Sequence, residues 1–252
     1  MRKATFFYLL RRGLLGAGGF VRDGLVMAAS KFKLSGLTHP SSGSAEFDGS
    51  SDYIQLNTPF SYTNHTIAAW VYVPDTNIAS RVFDNRDATD DGFSMLIFQD
   101  KLFYQLNSSD LSPAISVENE WAHFVCQYNG TTQAVYLNGS LISSTSTSQT
   151  ISTTTNALIG RQSYSASNYM NGNLANVAIW NRALSSDEIN AVMWKGYQSL
   201  TDNEKSGLKA WYSLDDVASP AASLATMEAL AVDKDATIEN KAAVTAAINA
   251  LS

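Results

Sequence analysis

The sequence predicts an all-β fold built from antiparallel strands, with helices confined to its C-terminal part. Aromatic residues make up 11% of the 252 residues and charged residues only 16%, and aromatic side chains are enriched in strands. Two Asn-Gly pairs, Asn129-Gly130 and Asn138-Gly139, follow segments of strand-like composition. Because Asn-Gly supplies the two positive φ angles of a type I′ turn, both pairs predict tight hairpins.

Short apolar segments predict the individual strands in chain order. Residues 66–73 (TIAAWVYV) are apolar on both faces, which is typical of a strand covered on both sides. Residues 94–98 and 102–106 flank a short loop and predict a hairpin, and residues 123–137, with the two Asn-Gly pairs, predict a three-stranded meander. Ser143–Thr155 consists almost entirely of Ser and Thr. It is either an exposed edge strand or a loop, and the strand preference of Thr favours the edge strand.

Helix signals appear only late in the chain. Ser185 with Glu188, and Thr201 with Glu204, each form the Ser/Thr-x-x-Glu capping box that begins a helix. Residues 207–214 then return to a strand pattern.

The two ends of the chain differ in composition from its middle. Residues 1–43 are basic and apolar, and residues 217–252 are rich in Ala, with apolar stripes at helical spacing. We therefore divide the chain into an N-terminal arm (1–43), a β-domain (44–216) and a short helical tail (217–252).

Charge is unevenly distributed along the chain. The net charge is −6, yet residues 1–33 contain seven basic residues and one acid, Asp23. A basic arm on an acidic body suits docking on a negatively charged partner, although a solvated or packed terminus is an equally simple interpretation. The acidic body argues against direct binding of nucleic acid.

The N-terminus begins like a signal peptide, but Arg11-Arg12 interrupts its apolar run, so we interpret it as a retained arm. No segment approaches the roughly 18 apolar residues of a membrane span. The one cysteine, Cys126, has no intrachain disulfide partner and alternates with aromatic residues on a predicted strand, which favours a core thiol.

Five motifs occur in the order found in laminin-G-like, concanavalin A-like jelly rolls. They are 47–54 (FDGSSDYI), 66–73 (TIAAWVYV), 121–125 (WAHFV), 128–139 (YNGTTQAVYLNG), and 159–161 (IGR) with 171–185 (NGNLANVAIWNRALS). From about Ser44 to Tyr197, the chain resembles this family. The resemblance implies a jelly-roll sandwich of two packed, curved antiparallel sheets. Residues 207–216 resemble the family's usual first strand, displaced to the C-terminal side.

Some members of the resembled family are glucanases, whose paired carboxylates lie on one strand in an E-x-D-x-x-E pattern. That pattern is absent. The nearest acidic pair, Glu118 and Glu120, lies in a predicted turn, and His39, His65 and His123 have no nucleophile at a recognisable spacing. We therefore expect a non-catalytic domain, with His123 as part of the strand framework.

An acidic loop is the candidate metal site. Asp84, Asp87, Asp90 and Asp91 fall within one short segment between predicted strands, and hard oxygen donors on a loop suit Ca²⁺. The resembled family often carries a calcium site at its rim, so calcium is the candidate cofactor. The alternative is a solvated acidic loop, which Arg86 partly neutralises.

A second loop is the candidate ligand site. Tyr164, Asn168, Tyr169 and Asn171 combine aromatic rings with amides, which can stack on and hydrogen-bond a sugar. A polar loop without a ligand is the simpler alternative.

Compartment and composition together suggest a viral structural role. Domains of the resembled family usually act outside cells, yet this chain has neither a convincing export signal nor a disulfide. A phage particle accounts for both, because its proteins assemble in the host cytoplasm and meet the outside after lysis. We expect a non-catalytic virion structural protein, a capsid decoration or a fibre or spike subunit, whose jelly roll binds a glycan or another cell surface.

The expected partners are other virion proteins and copies of this chain, bound through residues 1–43 and 217–252, together with a cell-surface glycan. Two alternatives stay open. One is a secreted or surface-attached bacterial adhesin or carbohydrate-binding module in the extracellular space, and the other is a glycosidase.

Overall fold

The computed structural model describes residues 20–22, 25–27, 39–40, 43–56 and 58–214. The chain divides into two compact units, Met1–Gly36 and Leu37–Ser252. In the first unit, strand β1 (Phe20–Arg22) pairs antiparallel with strand β2 (Leu25–Met27). The predicted helical tail lies outside the described residues, as does most of the predicted arm.

The described part of the second unit is a sandwich of two antiparallel sheets, as predicted. Its strands are β3 (Ala45–Asp48), β4 (Ile54–Gln55), β5 (His65–Tyr72), β6 (Ser80–Asp84), β7 (Phe93–Phe98), β8 (Lys101–Leu106), β9 (Ser109–Leu111), β10 (Trp121–Tyr128), β11 (Thr132–Leu137), β12 (Ser140–Ser146), β13 (Leu158–Ile159), β14 (Asn171–Trp180) and β15 (Leu208–Tyr212). The seven-stranded sheet runs β12-β11-β10-β5-β14-β15, and the six-stranded sheet runs β4-β13-β6-β7-β8-β9. Strands β3 and β15 pair with successive parts of β14.

The main hydrophobic core lies between the sheets. Strand β5 contributes Ile67 and Val71 to this core, and both are fully buried. The opposite face of β5 is also covered, because helix α1 (Ser186–Val192) packs Ile189 into a second cluster that includes Ala68. This helix explains why both faces of β5 are apolar in the sequence.

The two Asn-Gly pairs form different turns. Asn138 and Gly139 both have positive φ, 50° and 81°, and they join β11 to β12 as predicted. At Asn129-Gly130 only the glycine has positive φ, 94°, so the type I′ prediction is wrong there. The Asn129 amide still pairs with the Thr132 carbonyl, which centres the turn one residue later than predicted.

The Ser/Thr-rich segment forms an edge strand only at its start. Strand β12 ends at Ser146 and lies at the edge of the seven-stranded sheet. The segment that follows crosses to the other sheet, where the Thr153 hydroxyl donates to the Asn85 carbonyl at 3.1 Å. The predicted strand over Ser143–Thr155 is therefore wrong in its second half, where side chains rather than a partner strand make the contacts.

Both predicted capping boxes are present. The Ser185 hydroxyl accepts from the Glu188 amide at 3.2 Å and begins α1, and Thr201 accepts from Glu204 in the same way to begin α2 (Asp202–Lys205). A 3₁₀ helix, Tyr197–Ser199, lies between them. Within the described residues, no helix is long and apolar enough to cross a bilayer.

His123 and Cys126 are buried on β10, as predicted. Loss of solvent raises the pKa of the Cys126 thiol and lowers the pKa of His123 to about 3. The His123 ring lies 5.5 Å from that of Trp70, and its Nδ1 has no hydrogen-bond partner within the described structure. His123 is therefore held in its neutral form.

This burial predicts a pH dependence of stability. An unfolded histidine binds a proton below about pH 6.5, whereas native His123 does so only below about pH 3. Between these values the unfolded state binds more protons, so the free energy of unfolding falls as pH falls, by up to about 1.4 kcal/mol per pH unit. Replacing His123→Phe should cost under about 1.5 kcal/mol at pH 7. It should also reduce the slope between about pH 6.5 and 4.5 and leave the part contributed by buried His65, whose pKa is lowered to about 4. Urea titrations at several pH values measure the free energy of unfolding and its pH dependence. A slope that does not change in the variant would contradict a buried, neutral His123.

Candidate functional site

Two loops meet at one end of the sandwich and form a surface that we call the rim. They are residues 48–53, which lead from the end of β3 towards β4, and residues 160–170, between β13 and β14. Backbone hydrogen bonds join the second loop to β6, from Gly160 N–H to Val82 O at 3.2 Å and from Arg81 N–H to Asn168 O at 3.2 Å. Met170 N–H donates to Gly160 O at 2.8 Å within that loop, and Gly49 N–H donates to Met170 O at 2.8 Å and so joins the first loop to the second. The rim is thus joined to the sheet through main-chain contacts.

The Asp48 carboxylate organises the first loop. It accepts the backbone amides of Ser50, Ser51 and Asp52 at 2.8, 2.8 and 3.1 Å, and the hydroxyls of both serines. The amides of Ser51 and Ser50 hold the pKa of Asp48 well below its usual range. Because this carboxylate is engaged on both oxygens, it fixes the loop that ends at Tyr53.

The second loop depends on a glycine at its base. Gly160 has a φ of +89°, and a Cβ at this position would lie 2.5 Å from the Phe47 ring. Only glycine leaves room for Phe47 in this backbone conformation. Gly160 of the IGR motif leaves the space that the Phe47 ring of the FDG motif occupies, so the two motifs lie next to each other in the structure.

Two pairs of arginine and tyrosine lie at the rim, and in the second pair the arginine comes from the loop after β6. The Arg161 guanidinium lies 4.0 Å from the centre of the Tyr53 ring and 5.9 Å from that of Tyr169. The Arg86 guanidinium lies 5.6 Å from the ring of Tyr164, which is 41% exposed. These distances fall within the range of cation–π contacts.

The predicted ligand residues are only partly brought together. Tyr164 and Tyr169 belong to the rim, whereas the Asn168 amide donates to Gln162 at 2.8 Å within the loop. Asn171 begins β14, and its side chain lies beside Gly49. Tyr164 is exposed, whereas Asn168, Tyr169 and Asn171 are all partly exposed. The Asn168 amide is engaged in holding the loop.

Sequence reasoning missed Tyr53 and Arg161. Both lie within motifs that were recognised, FDGSSDYI and IGR, but they are far apart in the chain. The motifs indicated a fold, and nothing local indicated that the two side chains would stack.

The acids of the predicted metal site are engaged by other side chains, and two of them share Arg86. Asp84 is fully buried, with Arg81 Nε at 3.3 Å and Arg86 Nε at 3.7 Å from its carboxylate oxygens. Burial raises the pKa of Asp84, and the two arginines oppose that rise. Asp90 pairs with Arg86 at 3.1 Å, on the exposed side of the same loop.

The other two acids have partners of their own. The hydroxyl of Thr89 donates to Asp87 and lowers its pKa, and the Ser152 amide donates to Asp91 at 3.1 Å. Among the described residues, no three carboxylate, imidazole or thiol groups come together where a metal ion could bind. The structure thus places Asp84 at the end of β6 and the other three acids on the loop that follows, but it does not assemble the four as ligands, and calcium binding there stays a prediction.

The other residues considered for catalysis do not form a catalytic pair: His65 is buried in the core, and Glu118 and Glu120 lie in a surface turn. The His65 Nε2 lies 2.6 Å from the Tyr104 hydroxyl, and its ring stacks on Phe93 at 3.7 Å. Burial lowers the pKa of His65 to about 4. Glu118 is exposed in the turn before β10, next to the partly exposed Glu120.

Comparison with known proteins identifies the family. A model of the concanavalin A-like lectin/glucanases superfamily matches residues 48–190, and the chain belongs to this superfamily. A search of curated proteins finds no match.

Solved structures share the fold at low identity. A Bacteroides ovatus protein described as carbohydrate binding is 16% identical, with a TM-score of 0.58, and the match covers 71% of this chain and 53% of that protein. This chain thus spans about half the length of that relative. The IT-sialidase CBM40 of Ruminococcus gnavus, bound to α2,3-sialyllactose, is 15% identical with a TM-score of 0.48, over 61% of this chain and 99% of that one. At such identities these likenesses show the fold alone.

The positive φ of Gly160 and its close contact with Phe47 predict that any side chain at position 160 lowers the stability of the domain. Replacing Gly160→Ala should lower stability by about 1–3 kcal/mol, because the new Cβ must displace Phe47 in a strained backbone conformation. Thermal unfolding followed by circular dichroism measures the loss. Gly196→Ala is the matched control, since no heavy atom lies within 4 Å of its Cβ position, and we expect a change under about 0.5 kcal/mol. Equal midpoints for the two variants would contradict the packing described at the rim.

Proposed function

We propose that this chain carries a non-catalytic, carbohydrate-binding jelly roll whose binding surface is the rim. The observation that carries the proposal is the pairing of Arg161 with Tyr53 across the two facing loops, beside Tyr164, which is 41% exposed and pairs with Arg86 from the loop after β6. Membership of a superfamily that includes lectins supports it.

Aromatic and guanidinium groups suit a sugar for complementary reasons. The face of a tyrosine ring packs against the apolar C–H face of a pyranose, while N–H donors bind its hydroxyls. A site fixed by backbone contacts binds at a smaller entropic cost than a flexible loop. The rim combines these properties, because its loops are joined to the sheet by main-chain hydrogen bonds.

The carboxylates near the rim support binding rather than hydrolysis. A glycosidase needs an acid whose pKa is raised, so that it can donate a proton at neutral pH. Hydrogen bonds lower the pKa of Asp48. Burial raises the pKa of Asp84, but this carboxylate is fully buried and paired with two arginines, so a substrate has no access to it. Neither group is arranged as a general acid.

We also propose that the domain is displayed by a virion structural protein. The support comes from the sequence: a basic arm, an acidic body and a single cysteine, Cys126, which is buried as a free thiol. A secreted or surface-attached bacterial adhesin is the alternative. Mass spectrometry of purified particles should detect the chain in stoichiometric amounts, and its recovery only from a cell surface or culture medium would favour the alternative.

Glycan binding is tested with the purified full chain and a panel of neutral and acidic polysaccharides. We expect retention on at least one polysaccharide by affinity electrophoresis, with no new reducing ends. Replacing Tyr164→Ala should weaken retention roughly tenfold, because an exposed aromatic platform is lost.

Trp194→Ala is the matched control for this experiment. Trp194 is also an exposed aromatic residue, 50% exposed, but it lies two residues after the end of α1. Its ring is 5.9 Å from that of Trp70, on the face of β5 opposite the main core. Its replacement should leave retention unchanged. Equal losses in both variants would place binding elsewhere, and reducing ends that vanish when Glu118 and Glu120 become Gln would favour a hydrolase.

A further inference from the structure

Arg161 differs from the other arginines whose side chains the structure describes. Arg81 and Arg86 form ion pairs with Asp84, and Arg182 forms one with Glu188 at 2.6 Å. No ion pair among the described residues involves Arg161, and its buried Nε has no hydrogen-bond partner there. A guanidinium in a folded protein stays charged, so Arg161 retains a charge that these residues do not neutralise.

The contacts of Arg161 leave its hydrogen-bonding edge available. Tyr53 lies 4.0 Å from the guanidinium carbon and Tyr169 lies 5.9 Å from it. Stacking on a ring uses the face of the planar group, whereas its five N–H donors point outward in the plane. The tyrosines therefore orient the guanidinium without consuming its donors. Because the Nε donor is buried, the terminal NH₂ groups are the donors that a ligand would reach.

The acids of the facing loop are engaged within that loop. Asp48 accepts three amides and two hydroxyls, and Asp52 accepts the Asp48 amide at 3.2 Å. They organise the backbone that presents Tyr53. An anion that reached Arg161 would complete the bidentate pairing that planar carboxylates make with arginine.

We propose, building on the sugar-binding role of the rim, that Arg161 selects glycans that carry a carboxylate, such as uronic acids. The sugar ring packs on the neighbouring tyrosines, and its carboxylate pairs with the edge of the Arg161 guanidinium. Hydrogen bonds to charged groups are stronger than neutral ones, so removal of the sugar's charge should weaken binding about tenfold or more.

The direct test follows the Nε–H resonance of Arg161 by NMR in the ¹⁵N-labelled full chain, assigned through its loss in Arg161→Lys. Glucuronate should shift this resonance saturably, whereas glucuronate methyl ester, which has the same ring without the charge, should require about tenfold more ligand. The Arg182 resonance should not move, since Glu188 already occupies that guanidinium. Equal shifts with the ester, equal shifts with sulfate, or no shift with glucuronate would each overturn the proposal.

A binding experiment separates this proposal from the proposed function. Oligogalacturonate and its methyl ester are compared on the unaltered chain, on Arg161→Gln and on Tyr164→Ala. We expect Arg161→Gln to abolish the preference for the acid while weak binding of the ester persists, and Tyr164→Ala to weaken both. Acid and ester bound equally by the unaltered chain would overturn the carboxylate preference and leave glycan binding standing. Binding of neither, with no retention on the polysaccharide panel, would overturn both.

Discussion

Three main-chain hydrogen bonds in series, from Val82 through Gly160 and Met170 to Gly49, join the rim to the sandwich. They are possible because Gly160 has a positive φ and no side chain where Phe47 packs. A larger residue at Gly160 would move either the Phe47 ring or the loop. The position of Tyr53, Arg161 and Tyr169 relative to one another follows from this backbone arrangement.

The acidic residues at or near the rim hold its backbone or balance buried charges. Asp48 is exposed, yet its carboxylate is saturated by the loop that it caps. Asp84 is buried, and its charge is balanced by Arg81 and Arg86. Both acids therefore serve the architecture of the rim, and the groups left for a ligand are aromatic rings and one guanidinium.

The individual strands and helix starts were predictable because their signals are local, whereas the arrangement in two packed sheets was implied by the resemblance to a known family. A short run that is apolar on both faces identified β5, and each capping box needed only residues three positions apart. The errors arose where tertiary contacts override local preference. The segment after β12 has strand-like composition, but it crosses between sheets, and Thr153 is satisfied by Asn85 rather than by a strand.

The candidate site was less predictable for the same reason. The sequence shows four acids on one loop, but it does not show that Arg81, on the preceding strand, shares Asp84 with Arg86. It places Tyr164 and Tyr169 together, but the stacking of Arg161 on Tyr53 depends on the packing of two distant loops. Residue composition therefore locates the loop that carries Tyr164 and Tyr169, but it does not identify Arg161 as the arginine without an ion pair among the described residues.

Native-state hydrogen exchange measures most directly whether the backbone contacts hold the rim in place. We expect the amides of Gly49, Gly160 and Met170 to exchange as slowly as those of the central strand β14. Each of these amides donates a backbone hydrogen bond, Gly160 to Val82, Met170 to Gly160 and Gly49 to Met170. Exchange at the rate of an exposed loop amide, such as that of Ala166, would contradict it. The rim would then be a mobile loop rather than a preformed binding surface.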